Sequence, residues 1–143
     1  MLAIKTIFKY LLGTFLVIQL IQVEFKNSKS DKNLEIKAPT EVMSILKRSC
    51  YDCHSNEVKL PWYANIAPIS WEMSRHIEVG RQWVNFSIWE SYTAEQKDKK
   101  MGELYKAVYS VMPLEGYVYT HPQAALSKED RTLLRTWTGK APF

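Results

Sequence analysis

Apolar positions along this chain recur at helical spacing. Val42, Ile45 and Leu46 form an i, i+3, i+4 stripe behind Pro39 and Thr40. That pattern predicts a helix with Thr40 as its N-cap, ending near Cys50. Residues 55–68 carry Asn56, Pro61, Asn65 and Pro68 and read as a loop by turn chemistry. Pro68 opens a second helix in which Ile69, Met73 and Ile77 share a face and Gly80 is the stop. Thr93 with Gln96 forms a capping box for a third helix running to about Ser110. Leu104, Tyr105, Val108 and Val111 would be its buried stripe, and the charge run 95–100 its solvated face. Ser127 with Asp130 repeats the cap before a helix containing Leu133, Leu134 and Trp137, closed by Gly139 and Pro142. No period-2 strand pattern appears, so the expected class is all-α, a bundle of about four short helices over residues 39–143.

The beginning of the chain has a different pattern. Lys5 and Lys9 precede an apolar run over residues 10–23. A basic stretch followed by an apolar one is the layout of an export signal. The run spans about 21 Å as a helix, and about 30 Å when extended back to Ile4 with both lysines snorkelling. Small residues at cleavage spacing occur only at Ser28 and Ser30, so residues 1–25 are expected to be an uncleaved single membrane helix. Residues 26–38 are polar and read as a tether.

At 143 residues, one such domain with an appendage accounts for the whole chain. Two cysteines exclude a dense disulfide scaffold. The net charge of +4 is unevenly placed: residues 1–37 hold six Lys against three Asp and Glu, leaving the body nearly neutral. A neutral body lacks the basic stripe that phosphate binding needs, so nucleic acid is not an expected partner.

Both cysteines fall in Cys50-Tyr51-Asp52-Cys53-His54, a C-x-x-C-H run and the attachment pattern of c-type haem. Two thiols at this spacing can each add to one vinyl group at the porphyrin edge, and the adjacent histidine can then reach the iron. Three rivals fit less well. A reactive dithiol favours a helix N-terminus, whereas the predicted helix precedes Cys50. Zinc would need further ligands, and no second cysteine pair exists. A plain disulfide in a structural module gives His54 no role.

The segment from Cys50 to Trp137 resembles the single-haem "haem-binding domain" family of bacterial c-type cytochromes. The matching stretches are CYDCHSNEVKLPWYANIAPISW, Gly80-Arg81, Asn85-Phe86-Ser87 and MPLEGYVYTHPQAALSKEDRTLL. The resemblance implies one covalently attached haem c, a cytochrome-c-like helical fold and a periplasmic setting. With the N-terminal helix, this gives a single-pass protein of the bacterial inner membrane.

Cys50 and Cys53 are then the thioether positions and His54 the proximal iron ligand. For the distal ligand, Met73 and Met101 fall on predicted helices as core filler. Met112 precedes Pro113, which puts its thioether on a loop, and Met-Pro at this distance is how similar small cytochromes deliver that ligand. His121 and His76 are the alternatives. Trp62, Tyr63, Trp71, Trp83, Phe86 and Trp89 lie in the region expected to wrap the porphyrin. Arg75 and Arg81 read as solvated surface or as propionate partners. A His/Met haem suits one-electron transfer to redox protein partners, an electron carrier rather than a catalyst. The alternative is a haem enzyme or a peroxide or gas sensor with an open or labile distal site.

Overall fold

The computed structural model describes residues 2–141. Among these residues there are seven α-helices and no strand: α1 (Leu2–Ile18), α2 (Thr40–Ser49), α3 (Tyr51–His54), α4 (Ile69–Trp83), α5 (Ala94–Ser110), α6 (Glu115–Thr120) and α7 (Lys128–Trp137). Short 3-10 segments lie at Trp62–Asn65, Phe86–Ser91 and Pro122–Ala124. The all-helical expectation holds, but the part beyond residue 39 contains six α-helices rather than about four.

The expected membrane helix is overturned. No helix among the described residues is long and apolar enough to cross a membrane. α1 ends at Ile18, so its apolar part after Lys9 is nine residues, or about 13 Å. The single-pass inner-membrane placement therefore has no spanning helix to rest on. Beyond Ile18 the chain turns back onto the domain. The Gln19 side-chain amide donates to Ala67 O at 3.0 Å and accepts from Ala67 N at 2.9 Å. Trp71 Nε1 donates to Ile21 O at 2.9 Å. The Asn27 side chain makes the same paired contact with the backbone of Val58, at 3.1 and 3.2 Å. The polar stretch that follows is pinned too: Ile36 N donates to Phe86 O and Glu90 N to Leu34 O, both at 2.9 Å.

The core forms where α2 meets α5, α7 and the 3-10 segment Phe86–Ser91. Val42, Ile45 and Leu46 bury their stripe against Val108, Leu134, Phe86, Trp89, Tyr51 and Ile36. Full burial of each such side chain stabilises the fold by about 1.5–3 kcal/mol. Both expected capping boxes are present, Thr93 with Gln96 on α5 and Ser127 with Asp130 on α7. Gly139 follows α7 at φ 66°, the left-handed conformation that ends helices; Pro142 lies outside the described residues.

Several local expectations change. Thr40 is the first residue of α2 rather than its cap, which is Pro39. Val111, expected in the buried stripe of α5, is exposed. α4 does not stop at Gly80 but continues to Trp83. Gly80 instead allows close approach: a Cβ there would lie 2.6 Å from Cys53 O and 3.3 Å from Cys53 Cβ.

Candidate functional site

α2 breaks at Cys50, whose φ of −129° is not helical, and a single turn, α3, carries Tyr51 to His54. The turn closes through His54 N to Cys50 O at 2.9 Å. Tyr51 turns inward, stacks on Phe86 at 5.6 Å and donates its hydroxyl to Glu35 Oε1 at 2.9 Å. Buried Ser55 donates to Tyr51 O at 2.7 Å and accepts from Glu57 N at 2.9 Å. The cysteine motif is thereby anchored through its neighbours, while Cys50 itself packs against the core.

These groups open onto one cavity of about 460 Å³, a size that suits a drug-sized ligand or cofactor. Cys50, Cys53 and His54 line it, facing Val79, Gly80, Trp83 and Val84 of α4 and its end. Leu104, Ala107 and Val108 of α5 and the run Val111, Met112, Pro113 and Leu114 complete most of the wall. The lining is mainly apolar.

His54 Nδ1 lies 2.9 Å from Gly80 O and 3.2 Å from Val84 O. Carbonyls only accept, so Nδ1 carries the proton and Nε2 keeps its lone pair, the tautomer a metal-ligating imidazole needs. Burial also pushes the His54 pKa below its ordinary 6.5, against the upward pull of the two carbonyls. Both thiols are free. Burial raises Cys50 to about 12 and Cys53 to about 11, so neither is a thiolate near neutrality. A protonated, half-buried pair is poorly suited to dithiol exchange.

The other sequence candidates separate clearly. Met112 lines the cavity, whereas Met73 and Met101 do not. His76 also lines it, with Nε2 at 3.1 Å from Glu72 Oε1 on its own helix. His121 is not on the lining; it stacks on Tyr117 at 4.3 Å, with Nδ1 3.2 Å from Tyr117 O. Arg75 lines the cavity while paired with Glu72 at 3.0 Å. Arg81 lies elsewhere and binds Ser55 O, Lys26 O and Asn27 Oδ1. Of the aromatic candidates, Trp83 and Phe86 line the cavity, Trp89 belongs to the core, and Trp62 is exposed.

Three contributors escaped sequence reasoning: Gly80, Asp52 and Tyr117. Asp52 Oδ1 accepts from Lys59 N at 3.1 Å, and Asp52 Oδ2 accepts from Tyr117 Oη at 2.6 Å. Burial, followed by the bond to Asp52, raises the Tyr117 phenol above its usual range. The only signal available in the sequence was position, since Asp52 lies between the two cysteines.

An apolar cavity edged by two thiols, a correctly tautomeric imidazole and a thioether fits a porphyrin and its iron. Fold and site together define an all-helical haem protein. The chain belongs to the haem-binding domain family, whose model matches residues 13–140. That match begins within α1 and so includes the segment that Gln19 and Asn27 tie to the body. No curated protein and no solved structure matches the chain.

Proposed function

We propose that this haem-binding protein is a monohaem c-type cytochrome that carries one electron at a time. In this reading Cys50 and Cys53 hold the haem through thioethers, His54 is the proximal ligand and Met112 the distal one. The observation that carries it is the convergence of both thiols, a Nδ1-protonated His54 and Met112 on one apolar cavity. The bound haem iron would supply one-electron exchange between its ferrous and ferric states.

The chain's own residues would make that exchange reversible and selective. Gly80 O holds the His54 ring in one orientation, so the ligand need not rearrange when charge changes. Arg131 Nη1 donates to Met112 O at 3.1 Å and also binds Val108 O, fixing the backbone that presents the thioether. A thioether ligand raises the reduction potential, and the apolar walls from α4 and α5 exclude water. With His54 and Met112 both holding the iron, the cavity would offer peroxide or dioxygen no coordination site, which favours exchange with a redox protein partner over catalysis.

The test is spectroscopic. Ferric holoprotein should show a thioether-to-iron charge-transfer band that is lost in Met112→Ala and kept in His121→Ala and His76→Ala. Retention of the band in Met112→Ala, or its loss in His76→Ala alone, would overturn the ligand assignment.

A further inference from the structure

α6 has no fully buried residue, only the half-buried Tyr117 and Val118, so apolar burial holds it in place only weakly. It nevertheless follows directly on Met112, Pro113 and Leu114, all on the cavity wall. The long-range side-chain bond reaching it from the cysteine motif is Tyr117 Oη to Asp52 Oδ2, spanning 65 residues of sequence at 2.6 Å. Asp52 also fixes the loop after the motif through Lys59 N. The Tyr117 ring lines the cavity and is backed by His121, stacked at 4.3 Å with planes 16° apart. On the other side of Met112, Arg131 holds the carbonyl. The methionine thus lies between two anchors, one to α7 and one to the cysteine motif.

We propose that Tyr117 and Asp52 are positioning residues for Met112: their bond is a latch that keeps the segment 112–117 closed over the cavity. This rests on Met112 being the distal ligand. With the latch closed, Met112 would be held toward the bound iron. With it broken, the segment would swing more freely and a small neutral ligand, such as carbon monoxide, would compete for the iron. Asp52 does this from inside the attachment motif, coupling the proximal and distal walls directly. No proton or electron moves in the step; one hydrogen bond is exchanged for bonds to water.

The experiment measures carbon monoxide association to reduced holoprotein and the thioether charge-transfer band of the ferric form. Tyr117→Phe and Asp52→Ala should each speed carbon monoxide binding about tenfold, equivalent to about 1.4 kcal/mol, and weaken the band. The double variant should do no more than Asp52→Ala, because Tyr117→Phe removes a bond that Asp52→Ala already lacks. Asp52→Asn leaves one acceptor oxygen for the two donors, Lys59 N and Tyr117 Oη, and should give a smaller change than Asp52→Ala. Arg48→Met breaks a comparable bond between α2 and α7, Arg48 Nη2 to Asp130 Oδ2 at 2.7 Å. It should lower the melting temperature and leave both readouts unchanged. A Tyr117→Phe protein with wild-type carbon monoxide kinetics and band overturns the latch alone. A wild-type protein that binds carbon monoxide as fast as Met112→Ala overturns the ligand assignment beneath it.

Discussion

Gly80 packs on Cys53 so closely that a Cβ at position 80 would lie 2.6 Å from the Cys53 carbonyl oxygen. The obstacle is backbone, so a flexible side chain cannot relieve it. α4 and the cysteine motif can meet at this distance only with glycine there, and the same glycine's carbonyl holds His54 Nδ1 at 2.9 Å. One residue therefore sets the approach of the helix and, together with the Val84 carbonyl, the tautomer of the imidazole.

Gly80→Ala should accordingly destabilise the holoprotein by about 1–3 kcal/mol, the usual range for overpacking, and loosen the His54 imidazole. Thermal unfolding followed by haem absorbance checks this. A melting temperature equal to wild type would show that α4 can shift without cost.

Gln19→Ala should cost about 1–3 kcal/mol, because it strips both backbone groups of buried Ala67 of their partner. The measurement is chemical denaturation of the full chain. An unchanged midpoint would mean that the Gln19–Ala67 pair contributes nothing to stability.

The pH dependence follows from His54. Its folded pKa is held below 6.5 chiefly by burial, so below that value the unfolded chain takes up the proton first. The neutral-imidazole contribution is complete above pH 6.5 and is lost as pH falls through the lower folded value. Iron coordination by His54, as proposed, would favour the same neutral form, so both effects have one sign. Soret absorbance and helicity should be flat above pH 6.5 and change only on acidification. A transition above 6.5 that Gly80→Ala leaves unmoved would contradict this.

What could be read in the residues was local. Thr93 with Gln96 and Ser127 with Asp130 act within one turn, and the cysteine motif is contiguous. The parts that escaped depend on distant partners. α6 has no apolar stripe to betray it, and its Tyr117 is tied to Asp52 across the fold. Gly80 looks like a helix stop until Cys53 is brought against it. The apolar run past Ile18 looks like continued helix, yet Gln19 there meets the backbone of Ala67, 48 residues away. Met112 is the distal-ligand candidate in the sequence with His121 as an alternative on a nearby loop, and only packing puts Met112 on the cavity wall and His121 behind Tyr117.

Cys50→Ser and Cys53→Ser should each retain one covalent link, and the double variant none, as judged by haem staining after denaturing electrophoresis. Covalent stain in the double variant would mean that attachment occurs elsewhere.

The most direct measurement is the intact mass of the denatured wild-type chain purified from cells able to mature c-type haem. The expected result is polypeptide plus a single haem, inseparable under denaturation. A mass equal to the bare polypeptide, with pigment released into solvent, would contradict thioether attachment at Cys50 and Cys53.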